Sequence, residues 1–327
     1  MTAMDSPSLR IGRALAFACM LLLIAPARLY SQTQTNTPHD ILVPAHGAYF
    51  GAWVYRGSSS DEKTVLENLE HQIGRTFAIG LHYSGWQKEW PNDEMQQDKD
   101  AGRIPLLSWN CGDRNENVAA GKDDDMLKAR AIAARQYGSP IFLRYYWEFN
   151  VPGGQKTGSC LEMEAPLEKK HADFIAAWRH IWTIFQENGA NNVIWVWNPN
   201  STEPPGALDP DGFYPGDQYV DWVGWDRYDQ AGGTPFTGMF SDFLKRYGKL
   251  GKPMIIGETG AHPDFQESFF VQATTALKGP DSQIKAFVYF DAPGHRQLPW
   301  TLSPAGIEAM KKMGQDPFFA PMEPKQK

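Results

Sequence analysis

Pro140-Ile141-Phe142-Leu143-Arg144-Tyr145-Tyr146-Trp147-Glu148-Phe149-Asn150 decides how the rest of the chain is read. The run opens on plain apolar residues and closes on a dense set of aromatic, acidic and amide side chains. Its composition predicts a strand over Pro140–Glu148. The same pattern recurs along the chain, in Thr76–Tyr83, Ile104–Asn110, Asn192–Asn198, Trp222–Tyr228, Pro253–Glu258 and Lys285–Asp291, with a first strand at Tyr49–Tyr55. Strand starts are plain, as in Met254-Ile255-Ile256. Strand ends carry His82, Trp109-Asn110, Trp147-Glu148, Trp197-Asn198, Asp226-Arg227-Tyr228, Glu258 and Asp291.

Between these strands lie helical stretches at Asp61–Gln72, Asp124–Tyr137, Glu168–Asn188, Gly238–Gly248 and Asp264–Leu277, with Asp61 and Asp124 as N-caps and Gly189 and Gly248 as stops. The Pro/Gly-rich interval Thr202–Tyr219 reads as a loop. Strands alternating with helices imply parallel pairing through right-handed crossovers. Eight strands spaced by about 34 residues suit a closed (β/α)8 TIM barrel in one domain, expected over residues 46–320. An open doubly wound sheet is the alternative, but no G-x-G-x-x-G follows the first strand. In a barrel, functional groups gather at the C-terminal ends of the strands, which is where the unusual residues fall.

The 327 residues carry 31 Lys+Arg against 38 Asp+Glu, a net charge of −7 that argues against a nucleic-acid partner. Aromatics reach 13%, enough to wall a ligand cleft as well as fill a core. Arg10 and Arg13 precede an apolar run, Ala14–Ile24, that ends at Ala25-Pro26-Ala27. This pattern predicts a signal peptide over residues 1–27, a polar tether over 28–45, and a secreted or periplasmic protein free of the membrane after cleavage. Cys19 would leave with the leader. Cys111 and Cys160 then form an even pair in an oxidising compartment, where a disulfide between neighbouring loops is expected.

Glu148 and Glu258, 110 residues apart, end the fourth and seventh strands, and a barrel brings both ends to one mouth. Paired carboxylates suit glycosidic bond cleavage, one giving a proton to the leaving oxygen while the other attacks carbon or activates water. Strand alternation puts Arg144, Tyr146, Glu148 and Asn150 on one face. Arg144 becomes a buried partner for one carboxylate, and Asn150 a supporting residue. Trp86, Trp109, Trp147 and Trp197 are candidate sugar platforms, about half of them expected to touch substrate, and His82 joins them at the mouth.

Phe142–Asn150 resembles the acid/base strand of glycoside hydrolase family twenty-six, the β-mannanase-like branch of the clan A barrels. Lys252-Pro253-Met254-Ile255-Ile256-Gly257-Glu258-Thr259-Gly260 is similar to its nucleophile strand. Val193–Asn200 and Asp221–Asp229 look like its fifth and sixth strands, so the resemblance spans about residues 46 to 313. It implies Glu148 as acid/base, Glu258 as nucleophile, Asp226 as a sugar-binding residue, Tyr228 as a hydrogen-bond donor to the nucleophile, and retaining endo-hydrolysis of a β-1,4-linked polysaccharide, mannan first. The chain departs from the family pattern at Trp147, where the family commonly has His, and after Asn150, where Val151-Pro152-Gly153-Gly154 follows. Both departures lie near the reacting sugar and bear on specificity.

The histidines make no H-E-x-x-H spacing, and no nucleophile elbow or Walker loop is present. Neither a metal nor a cofactor is expected. Asp123-Asp124-Asp125 lacks the Gly and Glu of a calcium loop, and Asn200-Ser201-Thr202 fits a glycosylation sequon. The expected partner is a polysaccharide substrate, with the chain a monomer. The rival readings are a hydrolase of another β-glycan, such as a mixed-linkage or xylose-based glucan-like polymer, or of the cell's own exopolysaccharide, and a non-catalytic polysaccharide-binding protein.

Overall fold

The computed structural model describes residues 41–57, 62–151, 160–162, 164–202, 204–229, 232–280, 282–293 and 300–319. The expected leader, all of the tether before residue 41, and the Asp61 cap lie outside them. Within them the elements run β1 (Tyr49–Val54), α1 (Glu62–Ile73), β2 (Ile79–Ser84), α2 (Asp93–Ala101), β3 (Ile104–Trp109), α3 (Asn115–Ala119), α4 (Asp124–Tyr137), β4 (Ile141–Tyr145) and α5 (Leu167–Glu187). They continue with β5 (Val193–Trp197), β6 (Trp222–Asp226), α6 (Phe236–Tyr247), β7 (Met254–Thr259), α7 (Gln266–Leu277), β8 (Ile284–Asp291) and α8 (Pro304–Gly314). The strands pair in parallel in chain order and β8 closes on β1, giving the expected TIM barrel. No helix among the described residues is long and apolar enough to cross a membrane.

Alternation along the strands builds two cores. Ile79, Leu81, Leu106, Phe142, Ile194, Val196, Ile255 and Val288 fill the barrel. Leu107, Leu143, Trp195, Val223, Ile256 and Phe287, one residue out of step, pack outward with the helices. Three helices escaped the sequence reading. The α2 sequence is so polar that only Met95 and Asp98 are buried, which leaves no apolar period to detect. The five-residue α3 is too short for one. At α8 the start signals are present, since Ser303 accepts from the Gly306 N–H and Pro304 takes the first turn.

Helix ends also differ from expectation. Asp123 holds the cap position of α4 without a side-chain capping bond, and Asp124 is already helical, accepting from His180 at 2.7 Å. Gly189 does follow α5 in a left-handed conformation, but Gly248 continues into a 3-10 turn and Gly251 makes the left-handed stop. Thr202–Tyr219 contains two short 3-10 turns, Pro210–Phe213 and Asp217–Tyr219.

The largest correction concerns the fourth strand, which ends at Tyr145 rather than Glu148. Tyr146 and Glu148 both turn left-handed, with φ of 47° and 55°. For residues with a Cβ this costs about 1–3 kcal/mol each, so neighbours must hold them there. The Tyr146 N–H donates to the Trp109 carbonyl and the Glu148 N–H to the Asn198 carbonyl, both at 2.9 Å. The break ends the alternation, so Tyr146 does not line the interior with Arg144. It packs outward against Phe174, and its hydroxyl accepts the Cys160 N–H at 3.2 Å. Cys160 is joined to Cys111 in a disulfide that ties the segment before α5 to the end of β3.

Candidate active site

The barrel floor below the mouth is a polar layer set by register. Tyr83 on β2 pairs with Ser108 on β3, and Ser108 with Arg144 on β4, so all three point inward at one level. Arg144 is wholly buried. Its guanidinium donates to Ser108 Oγ at 2.5 and 3.2 Å, to both Asp226 oxygens at 3.1 and 3.0 Å, and to Glu258 Oε1 at 2.6 Å. Burial opposes its charge, but Asp226 and Glu258 outweigh burial and hold its pKa up. Gly257 makes room for this fork, since a Cβ there would collide with Asn198, Arg144 and Asp226.

Gly257 has a second consequence. Between β6 and β7 the register runs Trp225 with Ile256 and then Asp226 with Glu258, so one extra residue bulges on β7. Strict alternation would send Glu258 outward with Ile256. The bulge re-aims it over the barrel, beside Asp226. There the Tyr228 hydroxyl donates to Glu258 Oε2 at 2.6 Å, so each carboxylate oxygen has its own donor. Asp226 is pushed well above the usual carboxylate range by burial, and by the Glu258 and Glu148 charges, against the pull of Arg144. One guanidinium shared by two buried carboxylates accounts for that direction.

Glu148 stands above this layer, half-buried. Its Oε1 accepts from Asn200 Nδ2 at 2.6 Å. Asn200 is itself held by Asn150, whose Oδ1 accepts the Asn200 N–H at 2.8 Å and whose Nδ2 donates to the Asn200 carbonyl at 2.9 Å. Burial first, then the charge of Glu258, raises the Glu148 pKa to about 7. One carboxylate oxygen from each of Glu148, Asp226 and Glu258 lies within 4.8 Å of the others. Such a trio offers ligand atoms to a cation, but Arg144 already bridges two of its members and supplies the positive charge.

The expected aromatic platforms divide sharply. Trp147 is half-buried at the mouth and packs on Tyr83 at 5.2 Å. Trp86, Trp109 and Trp197 are corrections. They belong to the outer core, where Trp86 stacks on Trp109 at 4.6 Å and Trp197 packs against Phe149, Tyr214 and Tyr247. His82 faces outward as well and meets Asp98 of α2 at 2.6 Å. Asp226, fully buried on Arg144, offers no surface to a sugar in this conformation. The wall of the mouth is instead a continuous aromatic series, Trp147–Tyr83–Trp53–Phe290–Tyr228–Trp300, with neighbouring centroids 4.6–5.6 Å apart. Trp53, Tyr83 and Phe290 share parity with the inner core on β1, β2 and β8, a signal available in the sequence. Ser108 and Asn200 were missed too. Asn200 is buried with its amide committed to Glu148, so its sequon has no free amide to modify.

A parallel barrel whose aromatic mouth holds two facing glutamates, one bound by two strong donors and one left prone to protonation, carries the paired carboxyl groups that glycosidic bond cleavage uses. Sequence comparison agrees. A family model described as "Glycosyl hydrolase family 26" matches residues 162–293. Endoglucanase H of Acetivibrio thermocellus is 27% identical over 280 residues, covering 81% of this chain and 30% of that protein. The β-1,3-xylanase TXYA of Vibrio is 26% identical over 184 residues, covering 52% of this chain and 34% of that protein. The chain thus spans about a third or less of these relatives' length. The Bacillus subtilis mannanase man26 structure has a TM-score of 0.59 at 18% identity, over 84% of this chain and 86% of its own. A GH26 β-mannanase from Bacteroides ovatus has a TM-score of 0.59 at 13% identity, over 84% and 90%. These two share the fold. The motif resemblance to glycoside hydrolase family 26 thus meets a family-model match over residues 162–293 and a fold shared with solved β-mannanase structures.

Proposed function

We propose that the protein is a retaining endo-hydrolase of a β-linked polysaccharide, with Glu258 as nucleophile and Glu148 as acid/base. The observation that carries this reading is the 4.8 Å limit on the approach of the Glu148 and Glu258 oxygens, combined with their unequal donors. Retaining sites hold the two carboxyl groups about 5–5.5 Å apart, while inverting sites open them to about 6.5–9.5 Å for a water. Glu258 attacks the anomeric carbon as the glycosidic C–O bond breaks, and the Glu148 proton goes to the leaving oxygen. Esterification removes the Glu258 charge, one of the two causes that keep Glu148 protonated. Glu148 then takes a proton from the water that cleaves the glycosyl-enzyme, and Glu258 is restored.

Mannan is the first substrate, on the motif resemblance. A glucan is the second, favoured by the 280-residue similarity to Endoglucanase H and by Trp147 at the position before the acid. Export through cleavage after residue 27 belongs to the same proposal, supported by the leader pattern and by a disulfide that suits an oxidising compartment. The test incubates the protein with mannan, xylan, lichenan and bacterial exopolysaccharides, sizing the products and following the anomeric configuration of the first ones by NMR. Mid-length oligosaccharides released first as β-anomers are expected. First release of α-anomers would overturn retention, and no cleavage of any polymer would favour the binding-protein reading.

A further inference from the structure

The acid/base role asks Glu148 to hold a proton at the leaving oxygen, yet the backbone that carries it has already left β4. Tyr146 makes the first left-handed turn, with φ of 47°, two residues before the acid. Such a conformation persists only where the surroundings over-determine it. What holds Tyr146 is a closed ring of bonds. Its N–H donates to the Trp109 carbonyl at 2.9 Å. Two residues beyond Trp109, Cys111 is joined by the disulfide to Cys160, whose N–H returns to the Tyr146 hydroxyl at 3.2 Å. Cys160 is fixed in turn, because its carbonyl accepts the Asn115 N–H at 3.0 Å, while Asn115 Oδ1 accepts the Tyr145 hydroxyl at 3.1 Å. Cys111, Cys160 and Tyr146 are all buried and belong to the outer core. On the other side of the acid, Asn198 and Asn200, at the end of β5, hold the Glu148 N–H and Oε1. Glu148 therefore hangs between two anchors, and the one on β3 reaches it through Tyr146 and Trp147.

We propose that Tyr146 and the Cys111–Cys160 disulfide are positioning residues for the acid, fixing how the turn presents the Glu148 carboxyl to the leaving oxygen. A disulfide that served stability alone could close any loop, but this one ends on the residue that begins the turn of the acid. Proton transfer needs donor and acceptor within hydrogen-bond reach, so a small shift of the turn costs rate without removing the acid. The inference rests on Glu148 as acid/base, and its experiment separates the two claims.

First-step kcat/KM is measured on the polysaccharide and on aryl β-glycosides of its sugar whose leaving groups run from dinitrophenyl to phenyl. Wild type is compared with Glu148→Ala, Tyr146→Phe and the double variant Cys111→Ala/Cys160→Ala. Tyr146→Phe and the double variant should lose roughly 3- to 30-fold on the polysaccharide and the phenyl glycoside, and about twofold or less on the dinitrophenyl one. Their rates should thus depend more steeply on the leaving group than those of wild type. A lowered Tm is what any structural bridge would give, so the leaving-group dependence decides. An equal loss on all leaving groups, or no loss, would overturn the proposal. Should the double variant not fold, Tyr146→Phe, which keeps the disulfide, decides by the same outcomes. If Glu148→Ala itself leaves the dependence unchanged, the acid assignment fails and takes this inference with it. If Glu148→Ala steepens it and Tyr146→Phe does not, the inference alone fails.

Discussion

Glu258 and Glu148 are the same residue type at the ends of two strands of one barrel, and their surroundings treat them oppositely. Glu258 lies within β7, almost wholly buried, on a bulge that presents it to Arg144 and Tyr228 at 2.6 Å each. Each of its carboxylate oxygens accepts from its own donor. Glu148 lies past the end of β4, half-buried on a left-handed backbone, with Asn200 as its hydrogen-bond donor and a pKa raised to about 7. The contrast teaches that the division of labour between two glutamates is written in the donors around them and not in their separation alone.

The comparison breaks most severely at Glu258. Glu258→Ala removes the covalent step and leaves Arg144 with Asp226, so turnover on polysaccharide should fall by roughly 10⁴-fold or more while polysaccharide binding stays measurable. Single-turnover rates and a binding isotherm on the same preparation check both halves. Near-normal turnover would show that the two donors hold a structural charge rather than a nucleophile.

The next effect is smaller and selective. Glu148→Ala should cost roughly 10²- to 10⁴-fold on polysaccharide, whose leaving oxygen needs a proton. It should cost much less in the first step on dinitrophenyl β-glycosides, whose leaving group departs unprotonated. Burst kinetics on both substrates measure this. Equal losses would erase the distinction between the two carboxylates.

How much of this contrast was legible beforehand follows from what alternation can encode. The barrel, its eight strands and the meeting of Glu148 with Glu258 followed from plain strand starts and polar ends, which are local. Arg144 was legible because β4 is regular up to Tyr145. Alternation, applied to every strand, also separates Trp53, Tyr83 and Phe290 from His82, Trp109 and Trp197, whereas position at a strand end alone mixed them. Neither irregularity at the site was legible. The bulge at Gly257 and the left-handed turns at Tyr146 and Glu148 are held by neighbouring strands, through Asp226, Trp109 and Asn198, so no window of sequence contains their cause. Asn200 was hidden for the same reason, since its orientation depends on Asn150.

Asn200 also offers the finest test of the comparison. Its bond to Glu148 Oε1 favours the ionised form, against burial and the charge of Glu258. Glu148 must be protonated when substrate arrives, so kcat/KM should decline as pH rises through its pKa, near 7 in the wild type. Asn200→Ala deletes the hydrogen bond that lowers this pKa, which lets burial and the Glu258 charge lift it further. The alkaline limb should therefore move to higher pH, by roughly half a pH unit or more, while the rate at the optimum falls a few-fold as the carboxyl loses its tether. A pH profile of kcat/KM for both proteins decides it. A limb that stays in place or moves down would mean that Asn200 orients Glu148 without tuning its proton, and that burial and Glu258 alone set the acid.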